Sequence, residues 1–436
     1  MRLVMLTVGS RGEVEPCITL GMALQTQGHV VVIATHPNFR DFIQSRGLGF
    51  ALINIDIEAF LAGENSPSRQ SYGSPRGFVR AIQTMNAMIR RIGDDAWAAA
   101  GQADALFYTI GGSFFIPHLV EKLGIPAIGL YPYPVGTPTR AFPNIFVPGG
   151  NLGGPLNKLS HQLFESGWRL LKKPLRDWRV ETLGLPANLA AVTKRFRAMR
   201  FPILYGFSRH ILPPPGDWDE EKGIISGYWF MPQSGEWQPD PDLVAFIQDR
   251  PPPVYVGFGS MDLPNAANMT QIIVEALQKT GQRGLLLSGN GRLLNVDLPG
   301  IRSFTGAPFD WLFPQMSALV HHGGSGTVAL GLRAGIPATA IPFMMDQPFW
   351  GRRLEALGVG MRPIPAKQLT VSKLATAIET MVRDEAMRNR AEALGEKLRS
   401  EDGTAKAIAC IDQVLRRHPP FDIVPPHFIL GQRGNL

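Results

Sequence analysis

Two doubly wound α/β domains, each a parallel sheet covered by helices on both faces and facing the other across a cleft, are what this sequence predicts. The length of 436 residues suits two domains rather than one. A strand, glycine-bearing loop, helix, strand unit also occurs twice. The first copy runs over Leu3–Val8, Gly9-Ser10-Arg11-Gly12, Pro16–Gln27 and Val30–Ala34; the second runs over Val254–Phe258, Gly259-Ser260-Met261, Ala267–Lys279 and Leu285–Leu287. Their strands are short, continuous apolar runs, the pattern of parallel strands buried on both sides. Between the copies, Met231–Asp242 is rich in Pro, Asp and Gly and reads as a linker. The expected organisation is therefore a first domain over 1–230, a linker over 231–242, a second domain over 243–410, and a tail over 411–436 that either crosses back to the first domain or is disordered.

Composition narrows the class. Hydrophobic residues make up 44% and charged residues 18%, which excludes disorder. No apolar run approaches the roughly 18–20 residues of a membrane-spanning helix. The two cysteines, Cys17 and Cys410, supply neither a disulfide framework nor a cysteine-built zinc site. The opening MRLVMLTVGS has too short an apolar run for a secretory segment, so a cytoplasmic protein is expected. The net charge of +7 is local: residues 151–210 hold 11 Lys or Arg against 3 Asp or Glu. No nucleic-acid partner is expected from one such patch; peripheral contact with an anionic membrane surface or simple solvation fits it better.

A nicotinamide or flavin dinucleotide fold would need G-x-G-x-x-G and an acidic residue closing the second strand. The first copy closes that strand with Ala34-Thr35-His36 and the second with Leu287-Ser288-Gly289, so neither qualifies. Chemistry is expected instead where the carboxyl ends of the two sets of strands meet. The densest signal there is Ala318–Pro337, in which a strand ends at His321-His322, the loop Gly323-Gly324-Ser325-Gly326-Thr327 follows, and a helix runs from about Val328 to Ala334. Glycines admit a ligand to main-chain N–H groups, and a helix N-terminus carries about half a positive charge, so this is an anion site rather than a tight turn with two structural histidines. No Lys follows the glycines, which excludes a P-loop. The next strand, Ala338–Ile341, leads to Asp346-Gln347-Pro348. Asp346 alone reads as a helix N-cap before a proline, whereas a carboxylate beside a carboxamide suits vicinal sugar hydroxyls. A diphosphate site beside a sugar clamp suggests a nucleotide sugar.

HHGGSGT, DQPFWG and the Leu357-Gly358-Val359-Gly360 helix end together resemble the donor signature of UDP-sugar glycosyltransferases with the GT-B fold. VGSRGEVEP and THPNFRDF extend the resemblance, and GYWF, VYVGFGSM and DWLFP are similar to its sterol glucosyltransferase branch. The resemblance implies that His322 contacts the diphosphate, with Gly324, Ser325, Gly326 and Thr327 as the cradle. It implies that Asp346 and Gln347 hold the sugar, that Ser260 is a second phosphate-side contact, and that Ala307 and Trp311 lie near the uracil. Trp311 reads equally well as packing. Ser10 and Arg11 fall on the donor side of the first loop.

Glu13 takes the place where the family has an aspartate or a histidine base. Its extra methylene extends the reach by about 1.5 Å. Glu15 is the second candidate, and both acids would also favour a helix N-terminus. No histidine lies between Met1 and His29, so a histidine base in this loop is excluded. A base in one lobe and an α-linked sugar in the other imply displacement with inversion. No pair of glutamates eight positions apart, the mark of retaining relatives, occurs from Glu275 to Glu401. The helix N-terminus, His322 and Arg11 would meet the leaving-group charge, so no metal and no cofactor beyond the UDP-sugar co-substrate is expected.

The expected activity is transfer of a hexose, in the first instance glucose from UDP-glucose, to a lipophilic acceptor such as a sterol. The alternatives are a natural-product glycosyltransferase using a UDP- or dTDP-sugar, a nucleotide-sugar 2-epimerase, and a non-catalytic sugar-nucleotide or lipid binder. The run Phe107–Pro148 is expected to line the acceptor pocket. Phe164, Trp168, Leu171, Leu175 and Trp178 form an apolar helical face among basic residues, kinked at Pro174, that either packs on its domain or meets a membrane.

Overall fold

The computed structural model describes residues 1–55, 75–147, 150–167, 171–232, 237–259, 263, 265–289 and 293–418. Among the described residues thirteen strands form two sheets: β1 Arg2–Leu6, β2 Val30–Thr35, β3 Gly49–Leu52, β4 Ala105–Tyr108, β5 Ala127–Tyr131, β6 Ile203–Tyr205 and β7 Gly223–Ile225 in the first, and β8 Val254–Gly257, β9 Gly284–Leu287, β10 Asp297–Leu298, β11 Ile301–Phe304, β12 Ala318–His321 and β13 Ala338–Ala340 in the second. The first is seven-stranded, in the order β3-β2-β1-β4-β5-β6-β7, with every neighbouring pair parallel. The second is six-stranded, β10-β11-β9-β8-β12-β13, and parallel except for the β10–β11 pair. β1, β4, β5, β8 and β9 are buried almost end to end, as their unbroken apolar sequences require.

This topology fixes where a ligand binds. In the first sheet the chain winds outward from β1 through β2 to β3, then returns to the other side of β1 to make β4. The second sheet repeats the move, with β12 returning beside β8. Loops diverge at each reversal and leave a crevice at the carboxyl ends of the strands. The loops after β1 and β12, the two singled out by their glycines, lie at these two reversals.

The linker expectation is matched by irregular chain at 231–232 and 237–240, ending where Asp240 caps the helix Pro241–Gln248. The return to the first sheet begins earlier than the expected residue 411. The helix Gly403–Arg417 packs Ala407, Ile408, Ile411 and Val414 into one buried cluster with Leu3, Met5, Val14 and Ile18 of the first domain. Gly403 permits this, because a Cβ there would collide with the Gly227–Tyr228 backbone. Residues 403–410 therefore belong with the first sheet, and the tail over 419–436 lies outside the described residues. Cys17 and Cys410, remote in sequence, sit on the two helices that this return packs together, and both are free thiols. Among the described residues no helix is long and apolar enough to cross a membrane.

The returning helix should behave as part of the first domain's core. Ile411 is fully buried, so Ile411→Ala is expected to cost about 2–4 kcal/mol and to lower the calorimetric Tm. An unchanged Tm would show that the helix is dispensable.

Candidate functional site

The first-lobe half of the site is built by the turn after β1. The Gly9 N–H donates to His36 Nε2 at 3.1 Å, pinning the turn to the end of β2. The helix Arg11–Thr26 starts five residues before the expected Pro16 and places Glu13 in its first turn. Glu13 does not point to solvent as a first-turn acid usually does. It is 8% exposed and folds back over Gly9, where any Cβ would collide with its carboxylate. Tyr133, in the loop after β5, donates its hydroxyl to Glu13 Oε1 at 2.5 Å. Burial drives the Glu13 pKa from 4.5 up to about 7; the Tyr133 hydrogen bond opposes the rise, and the charge of Asp346 in the opposite lobe adds to it.

The structure thus separates the two candidate bases. Glu15 pairs with Arg11 Nε at 2.7 Å, with the arginine side chain 68% exposed. The Arg11 guanidinium also lies 5.1 Å from the centre of the Phe42 ring, so both of its partners are in the first lobe and neither belongs to the cradle. Ser10 is exposed, and its carbonyl accepts from the N–H groups of Glu13 and Val14.

The second-lobe half begins where β12 ends. His321 is fully buried and accepts the Gly323 N–H on Nδ1 at 3.0 Å, which braces the turn. Burial lowers its pKa to about 3 and that of His322 to about 4, so both rings are neutral at pH 7. His322 faces Gly259 and Gly324, where a Cβ at Gly324 would collide with its Nε2. Among the described residues its buried Nδ1 has no hydrogen-bond partner, an orphaned polar atom that a ligand would satisfy. The helix starts at Ser325, three residues before the expected Val328, with Gly324 as N-cap and no side chain to cap it. Its first-turn N–H groups are thus presented beside that imidazole. Gly323 takes φ +91°, and its Cα approaches the Gln347 carbonyl so closely that a Cβ would lie 2.9 Å from it. Only glycine joins the two loops this way.

Asp346 occupies the N-cap of the helix Gln347–Ala356, but its side chain makes no capping bond there. It accepts instead from Trp350 Nε1 at 2.9 Å and from the Ser325 N–H, while burial raises its pKa to about 6. Gln347 is not positioned as the free half of a clamp, since its Oε1 accepts from the N–H groups of Phe343 at 2.7 Å and Met344 at 3.1 Å. It holds the loop that presents Asp346. Ala307 and Trp311 are half-buried, and the Trp311 ring packs 5.0 Å from linker Trp237. Gly326 is exposed and Thr327 half-buried in the helix's first turn, whereas Ser260 lies outside the described residues.

On the acceptor side, much of Phe107–Pro148 is strand and core. Its Tyr133 and Phe146 rings lie 5.7 Å apart, and Phe146 meets Phe164 at 5.2 Å. This aromatic row leads from the partner of Glu13 to the helix Gly154–Gly167. The apolar face expected on the basic stretch is largely core: Leu171, Leu175 and Trp178 are buried, with Trp178 5.4 Å from Phe115. Pro174 sits in the first turn of the helix Lys172–Glu181, where its missing N–H costs nothing, so it makes no kink there. Trp168 lies outside the described residues. The exposed apolar face is elsewhere. Leu152, Leu156, Leu159 and Leu163 are 42% to 63% exposed, while Asn157, Ser160 and His161 of the same helix are buried and hydrogen-bonded.

Two Asp-x-Asp spacings occur, and both are engaged structurally: Asp217 accepts from Thr139 and the Arg140 N–H, and Asp240 caps a helix. Among the described residues no group of three or more His, Cys, Asp or Glu could hold a metal ion. Sequence reasoning missed Tyr133, His36 and Trp350. The repeated tyrosines of LYPYP marked that loop, but nothing local linked Tyr133 to an acid 120 positions away.

The buried acid burdens folding. The Glu13 carboxyl moves from 4.5 to about 7 on burial, so its ionisation destabilises the folded state progressively as pH rises from 4.5 past 7. Glu13→Gln keeps an acceptor for Tyr133 and removes that burden. It should exceed the wild type in stability by up to roughly 3 kcal/mol at pH 8 and match it at pH 4, read from urea midpoints at the two pH values.

Residues 3–128 match the glycosyltransferase family 28 N-terminal domain, and residues 288–410 match the erythromycin biosynthesis protein CIII-like C-terminal domain. The chain is 37% identical over 429 residues to the sterol 3-beta-glucosyltransferase of Emericella nidulans, covering 94% of this chain and 30% of that protein. It is 35% identical over 420 residues to sterol 3-beta-glucosyltransferase UGT80A2 of Arabidopsis thaliana, covering 94% of this chain and 64% of that one. It therefore spans less than two thirds of the length of either. Among solved structures, the glycotransferase of kitacinnamycin superposes with a TM-score of 0.70 at 20% identity over 95% of this chain and 99% of that one. CalG4, the calicheamicin glycosyltransferase, gives 0.68 at 19% over 95% and 98%. With two parallel-sheet domains, both family matches and these relatives in agreement, the chain belongs to the glycosyltransferases with the GT-B fold, alongside the sterol 3-beta-glucosyltransferases.

Proposed function

We propose that this protein transfers glucose from UDP-glucose, with inversion, to the hydroxyl of a sterol or related polycyclic alcohol. The observation that carries this reading is the buried Glu13 carboxylate of one lobe, within electrostatic reach of Asp346 in the other. Asp346 is itself bonded to the first N–H of the glycine-led helix. In this reading the diphosphate lies on the N–H groups that open the helix Ser325–Ala334, with neutral His322 donating to it, and Asp346 turns to the sugar hydroxyls. The acceptor oxygen, its proton passing to Glu13, attacks the anomeric carbon from the face opposite the diphosphate. The bond to the phosphate oxygen breaks and UDP leaves with the electron pair. The helix dipole and the imidazole offset the developing charge, so the proposal needs no metal.

We place the enzyme in the cytoplasm, with the leucine face of the helix Gly154–Gly167 resting on anionic lipid. Exposed leucines beside the basic stretch suit such a surface, and the Phe164, Phe146 and Tyr133 row leads from it toward the base. Replacing Leu156 and Leu163 by Ser should reduce co-sedimentation with phosphatidylserine-containing vesicles at least several-fold while leaving UDP binding intact. Equal sedimentation of the two proteins would remove the membrane from the proposal.

Incubation with UDP-glucose and an acceptor panel tests the activity: a product heavier by one hexose supports transfer, an altered free donor indicates epimerisation, and binding without change indicates neither. Glu13→Gln is expected to lower transfer by at least about 10²-fold with UDP binding retained. His322→Ala should weaken UDP binding by calorimetry. Transfer should survive EDTA, and its loss there would restore a metal to the mechanism.

A further inference from the structure

We propose that Tyr133 is a positioning residue which, with the missing side chain at Gly9, seats the Glu13 carboxylate so that one oxygen is held and the other serves the acceptor. This rests on the reading of Glu13 as the base. Where the resembled family has an aspartate or a histidine this chain has a glutamate, whose carboxylate reaches about 1.5 Å further than an aspartate's. The structure shows how the extra length is taken up. The Glu13 side chain folds back until its Oε2 and Cδ occupy the space that a Cβ at residue 9 would fill. Its Oε1 is tied at 2.5 Å to the Tyr133 hydroxyl.

Tyr133 is itself held. It is buried, its ring packs edge-on to Phe146 at 5.7 Å, and its carbonyl accepts the Val135 N–H at 2.9 Å. Burial and the neighbouring Glu13 charge keep its hydroxyl protonated, so it acts as a donor. The other groups facing Glu13 are Cys17 one turn along its own helix, Tyr131 at the end of β5 and Asp346 from the second lobe, while His36 holds the Gly9 N–H. Of these neighbours, Tyr133 is the one placed as the carboxylate's hydrogen-bond donor. In the transfer step Oε2 takes the hydroxyl proton as the acceptor oxygen bonds to the anomeric carbon, and UDP departs with the electrons of the broken bond. Oε1 keeps its bond to Tyr133 throughout.

The test is Tyr133→Phe, which preserves the ring and its packing. Losing a donor to the charged form raises the Glu13 pKa, so the acid limb of the kcat profile should move up by about one pH unit. At pH 7 kcat should fall about fivefold, with both KM values within about twofold of wild type. In a Glu13→Gln background the same change should have no further effect on kcat. A merely packing tyrosine would leave the pH profile in place, or multiply the loss in both backgrounds, and either result overturns the proposal. Wild-type turnover by Glu13→Gln alone would instead overturn the base assignment and the positioning role with it.

Discussion

The structure depends on burying two carboxylates, Glu13 and Asp346, on facing walls of one gap. Burial is the largest influence on each, and it raises the first pKa to about 7 and the second to about 6. Such groups persist only where hydrogen bonds offset part of the desolvation. Glu13 has Tyr133, and Asp346 has Trp350 and the Ser325 N–H. Each partner is a neutral donor, and among the described residues neither acid is in a salt bridge. In the proposed reaction this preserves the basicity of one acid and leaves the other able to exchange its protein donors for sugar hydroxyls.

Holding the two walls in register falls to contacts that tie the lobes together beside the gap. Phe142 meets Phe349 at 5.5 Å, Phe207 meets Trp350 at 6.0 Å, and Arg353 Nε donates to the Ile211 carbonyl. Trp350 joins both systems, since its Nε1 holds Asp346 while its ring packs on the first lobe's Phe207. The orientation of Asp346 is therefore coupled to how the lobes sit. The helix Gly403–Arg417 adds a second covalent tie, returning the chain to the first core after the second domain is complete. A hinge built from one linker alone would leave the gap far less defined.

Features that act over short stretches were legible in the sequence. The βαβ units, the glycine cradle and Asp346 depend on neighbours within a few residues, and the structure places each near its expected position. The misses are contacts across the topology. Tyr133 reaches Glu13 because β5 and β1 are two places apart in one sheet, an ordering that the linear pattern does not state. The helix Gly154–Gly167 defeated periodicity for another reason: it buries Asn157, Ser160 and His161 in hydrogen bonds and turns its leucines outward, reversing the usual rule. The motif singled out Gln347, yet only the folded loop reveals that its carboxamide oxygen accepts from Phe343 and Met344.

In the proposed reaction the neutral rings of His321 and His322 complete the electrostatic logic. A cationic His322 would bind the diphosphate more tightly in every state, including the departing product, whereas a neutral donor beside a helix N-terminus strengthens mainly as charge develops on the leaving oxygen. The same choice keeps positive charge away from Glu13. A cation nearby would pull the Glu13 pKa back toward 4.5, ionising more of the enzyme but making each ionised molecule a weaker base. A value of about 7 lies where the ionised fraction and the proton affinity are both substantial at neutral pH. In the proposed reaction an anionic diphosphate bound beside Asp346 would push that value higher, so the Tyr133 hydrogen bond, as a donor that favours the ionised carboxylate, would matter most in the loaded enzyme.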